Sequence, residues 1–237
     1  MNPPLNSLPT AVLLSGGLDS SILVGMLAGE GRRVQPLYVR SELLWEAEEL
    51  RAVGEFLRAI GSPGVLDPVI LDLPVQDLYG GHWSLTGNET PGATTPDEAV
   101  YLPGRNLLLL VKAGLWCKLH GLRQLALGVL GSNPFGDATP AFFDHLEAAL
   151  NCYPPEPLEI VRPLAAMKKR QVMEIGRRFP LAATFSCIAP RNGLHCGRCN
   201  KCAERKAAFA LIGEDPTKYA CLPPLPPGEG RGEGNSL

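Results

Sequence analysis

A short polar loop near the start of the chain has the composition of an anion-binding turn. Residues 15–21 contain two adjacent glycines, three serines and one aspartate, and they follow the apolar run 11–14. A buried strand that enters a glycine turn and then a helix points free N–H groups and a helix N-terminus at one position. The glycines allow close approach to an anion, and the aspartate indicates a bridging Mg²⁺ ion. We therefore predict a nucleotide-phosphate site formed by Ser15, Gly16, Gly17, Leu18, Asp19, Ser20 and Ser21.

Four cysteines in the last quarter of the chain have the spacing of a metal site. They follow the pattern C-x8-C-x2-C-x2-C and are Cys187, Cys196, Cys199 and Cys202. Four thiolates at such spacing can surround a Zn²⁺ ion tetrahedrally, and a site without an open position for water is structural. An iron–sulfur cluster also uses four thiolates and stays open as an alternative. A redox Cys-x-x-Cys pair is a second alternative, although it needs no third or fourth thiol.

The surroundings of these cysteines give three further expectations. His195 could replace one ligand, but because four thiolates already suffice we expect it to be a solvated loop residue. The segment has few apolar residues, so metal binding should be part of its folding energy. Basic side chains should offset the negative charge of the thiolates, and these are Arg191, Arg198, Lys201 and Arg205.

Composition excludes several other classes of function. The formal charge is −2 and there is no basic run, so nucleic acid is not an expected partner. No stretch reaches the roughly 20 apolar residues of a membrane span, and residues 1–10 lack a signal-peptide pattern. We expect a cytoplasmic protein, in which clustered cysteines favour metal or redox chemistry over disulfides. The scattered Cys117, Cys152 and Cys221 are expected to be small buried packing residues.

Strand-like apolar runs alternate with helical patterns along most of the chain. Strands are predicted at 11–14, 34–39, 69–73, 125–130 and 160–161, and helices at 20–28, 44–60, 106–120, 141–150 and 168–179. This alternation predicts an α/β fold with a Rossmann-like parallel sheet of about five strands, covered on both faces. Ligands bind beyond the carboxyl ends of such strands. The loops 15–20, 40–43, 74–105 and 131–140 should all open there.

The chain divides into three parts on this pattern. Residues 11–184 should form a nucleotide-binding α/β domain, and residues 185–221 a small C-terminal zinc-binding segment in which the alternating pattern stops. Residues 222–237 are rich in proline and glycine and are expected to be disordered.

The glycine loop resembles the SGGxDS pyrophosphate loop of the PP-loop ATP pyrophosphatases, whose fold is the adenine nucleotide hydrolase type. Three further matches are the run Leu-Pro-Gly-Arg-Asn at 102–106, the Pro163-Leu164 pair followed by Lys169, and the cysteine pattern. Together they resemble the 7-cyano-7-deazaguanine synthase family over about residues 11–209. Two loops depart from it. Residues 40–43 lack the glutamine and histidine of typical members, and residues 132–139 differ from their Asp-Ser-Gly-Tyr-Pro-Asp-Cys loop.

The resemblance implies an ATP-dependent ligase with ATP, Mg²⁺ and Zn²⁺ as cofactors. The carboxylate of 7-carboxy-7-deazaguanine would attack the α-phosphate of ATP, and ammonia would displace AMP. A second activation would dehydrate the amide to a nitrile. The implied catalytic residues are Asp19, Arg105 and Lys169, with Lys168 as the alternative to Lys169. The family also suggests a homodimer.

The altered loops leave the acceptor pocket and the class of reaction open. Phe135 could stack on a flat ring and Asp137 could accept from an amino-imino edge, although both also suit ordinary loop packing. Asn106 could equally be a helix N-cap. The alternatives are adenylation of another carboxylate, tRNA thiolation with Cys117 as a candidate thiol, and a nucleotide sensor without catalysis.

Overall fold

Five strands form a single parallel sheet at the centre of the protein, as the sequence pattern predicts. The computed structural model describes residues 8–152, 154 and 156–220. The strands are β1 (Thr10–Leu13), β2 (Val34–Arg40), β3 (Val69–Asp72), β4 (Gln124–Ala126) and β5 (Glu159–Val161). Their order across the sheet is β3-β2-β1-β4-β5, and each neighbouring pair is parallel. The direction of chain progression therefore reverses between β1 and β4, which is where such sheets bind ligands.

Helices connect the strands and cover both faces of the sheet. They are α1 (Leu18–Gly29), α2 (Glu46–Ile60), α3 (Gln76–Tyr79), α4 (Trp83–Thr86), α5 (Arg105–Leu119), α6 (Pro140–Asn151), α7 (Lys169–Gly176) and α8 (Asn200–Ala210). The predicted helices are confirmed to within a few residues, and α3 and α4 lie in the predicted long connection. The largest boundary difference is in α7, which ends before the predicted limit of 179 because the chain turns there and the Phe179 N–H bonds the Gly176 carbonyl at 2.8 Å.

α8 is a correction, because the sequence analysis ends the helical pattern at 185. The buried face of α8 consists of Asn200, Cys202, Arg205, Ala208 and Phe209. Three of these five side chains are not hydrocarbon, so the apolar periodicity that marks an amphipathic helix is absent.

Alternate residues of each strand enter two separate hydrophobic cores. On one face, Val12 and Tyr38 pack with α1, α2, α7 and α8. On the other face, Ala11 and Leu37 pack with α5 and α6. Burial on both faces explains why the strands read as continuous apolar runs.

A third apolar cluster joins the cysteine segment to the rest of the protein. It contains the four clustered cysteines together with Trp45, Val75, Val100 and Leu102. The expectation that the segment has little besides metal to hold it is therefore wrong, since its partners come from distant loops. The predicted division at 184/185 stays a prediction. The expected disordered tail and Cys221 lie outside the described residues.

The lengths of the helices bear on the expectation that the chain has no membrane span. None of the helices within 8–152 and 156–220 is both long and apolar enough to cross a membrane.

Candidate functional site

A cavity of about 390 Å³ opens at the carboxyl edge of the sheet, at the switch between β1 and β4. Three of the four loops that were predicted to meet there contribute to its wall, namely 15–20, 74–105 and 131–140, together with residues from the cysteine segment. No residue of the loop 40–43 is among the described residues that line the cavity, so that part of the prediction is not supported. The predicted site residues that line it are Ser15, Gly17, Leu18, Asp19, Ser20, Arg105, Phe135, Asp137 and Lys169.

The first turn of α1 presents free N–H groups to this cavity. Gly17 is the N-cap of α1, and the first bond of the helix runs from the Ser21 N–H to the Gly17 carbonyl at 3.1 Å. The N–H groups of Leu18, Asp19 and Ser20 consequently have no acceptor among the described residues. Such unpaired groups at a helix N-terminus carry partial positive charge and bind anions.

The hydroxyls of the loop fix its shape. The Ser15 N–H donates to the Ser20 Oγ at 3.3 Å, the two Oγ atoms are 3.2 Å apart, and the Gly17 N–H donates to the Ser15 Oγ at 3.4 Å. These distances are at the long end for hydrogen bonds. An incoming phosphate oxygen can therefore compete for the same donors.

Two residues of the predicted phosphate loop face away from the cavity. Gly16 has a φ of +77°, and a Cβ there would be 3.0 Å from the Glu49 carbonyl, so this glycine serves the close packing of the loop on α2. Its carbonyl accepts the Phe185 N–H at 2.7 Å. Ser21 is fully buried, and its Oγ has no partner within the described part of the chain. Direct phosphate contact by Gly16 and Ser21 is therefore not supported.

Asp19 and Lys169 form an ion pair at the edge of the phosphate loop. The Lys169 Nζ lies 2.7 Å and 2.8 Å from the two carboxylate oxygens of Asp19. Burial raises the pKa of Asp19 above its ordinary value, and the charge of Lys169 opposes that rise. Lys168, the alternative, is exposed and precedes α7, where its N–H donates to the Gln171 Oε1 at 2.8 Å. The geometry thus selects Lys169.

Gly128, just after β4, lies against the same turn and was not predicted. A Cβ on Gly128 would be 2.8 Å from the Ser20 nitrogen and 2.9 Å from the Asp19 carbonyl carbon. Both neighbours are backbone atoms that a side chain cannot displace cheaply. The signal in the sequence was a single glycine inside a predicted strand, a position that often marks close approach of another backbone.

Arg105, Asn106 and Asp137 meet at the start of α5. The N-cap of α5 is Gly104, so the N-cap alternative for Asn106 is wrong. Instead the Asn106 N–H donates to the Asp137 Oδ2 at 3.1 Å, and its Nδ2 donates to the Asp137 carbonyl at 2.9 Å. The carboxylate of Asp137 therefore already holds the first turn of α5. Arg105 carries no such restraint and lines the cavity.

Aromatic side chains form the other walls of the cavity. Phe135 packs against Tyr101 with ring centroids 5.2 Å apart, and Trp45 stacks on Trp83 at 5.7 Å. All four rings line the cavity. Three of them were not predicted. Trp83 and Tyr101 lie in the long connection, where isolated aromatic residues carry no periodic signal, and Trp45 lies at the start of the predicted helix 44–60.

Glu49 of α2 is a second acidic residue in the cavity wall. The Tyr38 hydroxyl donates to its Oε2 at 2.9 Å, and the Trp45 Nε1 donates to its Oε1 at 3.1 Å. Burial raises the pKa of Glu49 to about 7, although the charge of Arg105 and the two hydrogen bonds oppose the rise. The sequence analysis does not identify Glu49 as a site residue.

The four clustered cysteines form a closed, buried group. Their sulfur atoms all lie within 4.8 Å of one another, with 3.8 Å between Cys187 and Cys199 and 3.9 Å between Cys196 and Cys202. Zn–S bonds of about 2.3 Å in a tetrahedron place sulfur atoms about 3.8 Å apart, so the group fits a single ion of that size. The backbone supports it, since the Cys196 N–H donates to the Cys187 Sγ and the Cys199 N–H to the Cys196 Sγ, both at 3.3 Å.

His195 is not the solvated residue that was expected. It is 5% exposed, its Nε2 accepts the Ser186 N–H at 3.2 Å, and its ring lies 4.4 Å from that of Phe185. Burial and the charge of Arg205 lower the pKa of His195 to about 3, so the ring is neutral. It is not part of the group of four sulfur atoms.

Arg205 is also buried rather than placed at the surface. Its guanidinium donates to the hydroxyls of Thr184, Ser186 and Thr217 and to the Leu181 carbonyl. It therefore ties α8 to the segment that precedes Cys187 while still placing a positive charge near the thiolates. From the same helix, Lys201 and Glu204 reach the cavity and pair at 2.7 Å.

The scattered cysteines bear on the tRNA thiolation alternative. Cys117 is buried in the α5 side of the sheet, and burial raises its pKa to about 12. Cys152 is exposed, so its predicted packing role is wrong. Within the described ranges none of the cysteines lines the cavity. The catalytic thiol that thiolation requires is thus missing from the described part of the site.

The chain is similar to proteins of one enzyme family. The profile of the family described as queuosine biosynthesis protein QueC matches residues 10–213. The chain is 32% identical over 227 residues to the 7-cyano-7-deazaguanine synthase of Anaeromyxobacter dehalogenans, which covers 88% of this chain and 94% of that protein. The synthase of Ectopseudomonas mendocina is 31% identical over 222 residues, with coverages of 88% and 96%. The synthase of Chlorobium phaeovibrioides is 28% identical over 226 residues, with coverages of 90% and 96%.

Proposed function

The chain belongs to the queuosine biosynthesis protein QueC family, and we propose that it is an ATP-dependent ligase that makes 7-cyano-7-deazaguanine from 7-carboxy-7-deazaguanine and ammonia. One observation carries the proposal. The free N–H groups of α1, the Asp19–Lys169 pair and Arg105 all border one cavity at the switch point of the sheet. That arrangement suits a polyphosphate, because positive side chains can stabilise the negative charge that develops on the oxygens of the reacting phosphate.

In this proposal the phosphate loop positions ATP. The N–H groups of Leu18, Asp19 and Ser20 bind the β- and γ-phosphates, while Lys169 and Arg105 stabilise charge that develops on the α-phosphate. The Asp19 carboxylate would bind Mg²⁺, and the ion would neutralise part of the negative charge of the phosphates. Lys169 then exchanges part of its contact with Asp19 for contact with the nucleotide.

The reaction follows from this placement. An oxygen of the acceptor carboxylate attacks the α-phosphorus, the bond to the bridging oxygen of the β-phosphate breaks, and pyrophosphate leaves. Ammonia adds to the acyl carbon, loses a proton and displaces AMP, which gives the amide. A second ATP activates the amide oxygen, and departure of AMP with loss of two protons from nitrogen leaves the nitrile. The protein mainly contributes positioning and charge stabilisation.

The four-cysteine group is proposed to hold zinc in a structural role. Its closed set of four thiolates leaves no ligand position for substrate, and its sulfur atoms fit one ion rather than a larger iron–sulfur cluster. A reducing compartment such as the cytoplasm would keep these thiols available for metal. The expected homodimer stays a prediction.

The proposed function is tested by product analysis. The protein is incubated with ATP, ammonia and 7-carboxy-7-deazaguanine, and AMP and the nitrile are followed by mass spectrometry. We expect both products, with AMP and pyrophosphate in equal amounts. AMP without a nitrile would indicate a different acceptor, and no AMP with any acceptor would favour a nucleotide sensor.

Gly128→Ala should reduce ATP-dependent activity strongly. The added Cβ would lie 2.8 Å from the Ser20 nitrogen, so the first turn of α1 must shift. Misplacement of a binding group by about 1 Å can lower the rate by about 100-fold, and we expect kcat/KM for ATP to fall by that order. Gly29→Ala is the matched control, since a Cβ at this position of the same helix meets nothing within 4 Å. Unchanged kcat/KM in Gly128→Ala would show that the loop tolerates the shift.

A further inference from the structure

Glu49 has a defined place in the cavity wall that the phosphate chemistry does not use. Its two carboxylate oxygens each accept one hydrogen bond, from Tyr38 at 2.9 Å and from Trp45 at 3.1 Å. A carboxylate oxygen can accept more than one bond. Glu49 therefore keeps acceptor capacity on both oxygens, and its two donors hold the group in a fixed orientation.

The surroundings of Glu49 are suited to a flat, ring-shaped ligand. Trp45, which donates to Glu49, stacks on Trp83 at 5.7 Å with an angle of 20° between the rings. Both indoles line the same cavity, as do Tyr38 and Glu49. Flat apolar walls with a few fixed polar groups are the usual composition of a site for an aromatic ligand.

Asp137, the acid predicted to recognise the acceptor ring, is engaged elsewhere. Its Oδ2 accepts the Asn106 N–H, and its carbonyl accepts the Asn106 side chain. Release of Asp137 would leave the first turn of α5 without these partners. The other two acids that line the cavity are in ion pairs, Asp19 with Lys169 and Glu204 with Lys201. Glu49 accepts only from two neutral side-chain donors and remains available for a ligand edge.

We propose that Glu49 determines acceptor specificity by binding the ring N1–H and the 2-amino group of the deazapurine. This inference rests on the proposed function. Two adjacent N–H donors match the two oxygens of a carboxylate, and hydrogen bonds to an ionised acceptor are the stronger kind. Burial raises the pKa of Glu49 to about 7, and a ligand that donates two N–H bonds to the carboxylate would favour its ionised form.

The structure also offers two other roles for Glu49. The charge of Arg105 acts on Glu49, so the carboxylate could merely position that arginine. The exocyclic amino group of adenine is a second possible donor, from ATP rather than from the acceptor. An experiment must therefore separate the acceptor, the nucleotide and Arg105.

The test compares Glu49→Gln with Glu48→Gln, which makes the same charge change one residue away, outside the cavity lining. Each protein is assayed with 7-carboxy-7-deazaguanine and with its analogue that lacks the 2-amino group. A site built to hydrogen-bond a substrate N–H group rejects the analogue that lacks it by about 10⁴-fold or more, so we expect wild type to prefer the complete acceptor by that order in kcat/KM. Glu49→Gln should reduce that preference by at least about 10-fold, while Glu48→Gln retains it.

Other outcomes overturn the inference in distinguishable ways. If Glu49→Gln lowers kcat/KM equally with both acceptors, so that the preference for the complete acceptor is unchanged, Glu49 serves to position Arg105. In a second pair of assays, ATP is compared with purine riboside triphosphate, which lacks the 6-amino group; a changed ratio there would assign Glu49 to adenine. If Glu49→Gln fails to fold, lack of discrimination by wild type is itself sufficient to reject the inference. Failure of wild type to use 7-carboxy-7-deazaguanine would instead reject the proposed function, and the inference with it.

Discussion

Asp19→Ala is expected to abolish AMP formation while the protein stays folded and keeps its metal. Asp19 lies in the first turn of α1, beside the free N–H groups, and its carboxylate is bonded to Lys169 at 2.7 Å and 2.8 Å. Its removal takes away the group proposed to hold Mg²⁺ and frees Lys169 from its fixed position. Loss of one preorganised electrostatic contact lowers kcat by about 100- to 1000-fold, and two contacts are lost here. We therefore expect at least the upper end of that range.

Stability should respond differently from activity in this variant. Burial raises the pKa of Asp19 in the folded protein, so its ionised form is favoured less there than in the unfolded chain. At neutral pH burial of the charged carboxylate opposes folding, whereas its contact with Lys169 favours folding, so Asp19→Ala should change Tm only slightly. Asp144→Ala, an exposed aspartate on α6, is the control and should retain activity. Loss of metal together with AMP formation would mean that Asp19 is a structural residue.

Cys199→Ser is expected to give a metal-poor, unstable protein. The apparent binding free energy of structural zinc reaches about 10–16 kcal/mol in small zinc-binding peptides, whereas a whole domain is stable by only about 5–15 kcal/mol. Loss of the metal should therefore lower Tm markedly, although the apolar cluster around the cysteines still supports the segment. Metal content by elemental analysis and thermal unfolding are the measurements, and iron rather than zinc in the wild-type protein would correct the assignment of the metal.

Cys152→Ser provides the matched control for this change. Cys152 is exposed at the end of α6, and its Sγ donates only to the Ala148 carbonyl. The same sulfur-to-oxygen exchange should therefore leave metal content and Tm unchanged. A fully stable Cys199→Ser protein that retains its metal would refute a structural four-cysteine site.

The sheet and the meeting of its loops follow from the sequence for a simple reason. Apolar strands alternate with amphipathic helices, and parallel strands must all end at the same edge. The loops at 15–20 and 131–140 were therefore predictable neighbours, although they are far apart in the chain. The four-cysteine site could also be predicted from the sequence, because the geometry of a metal ion restricts the spacing of its ligands.

The acceptor side of the cavity could not be predicted in the same way. α2 carries Glu46, Glu48 and Glu49 in its first turn, and periodicity cannot tell which of three neighbouring acids faces a cavity. Glu46 accepts the N–H groups of residues 41 and 42, whereas Glu49 meets Tyr38 and Trp45. The partners that each acid meets depend on how α2 packs against the rest of the core, which the sequence of the helix alone does not specify.

Buried polar residues of the cysteine segment were missed for a related reason. His195 and Arg205 are polar in composition, so the sequence favours a surface position. Their burial depends on partners such as Thr217 and Ser186, which come from other turns. No local sequence pattern predicts these hydrogen-bond partners, because only folding brings them close to His195 and Arg205.

The bond from the Phe185 N–H to the Gly16 carbonyl has a consequence for how this chain can be divided. Gly16 belongs to the nucleotide loop, while Phe185 precedes the first clustered cysteine by two residues. A shortened protein that stops after α7 would retain all residues of the glycine-rich motif. It would lose the hydrogen bond from Phe185 that supports the turn at Gly16. The nucleotide loop thus takes part of its support from the cysteine segment, and a fragment that contains the loop alone should hold its turn less firmly.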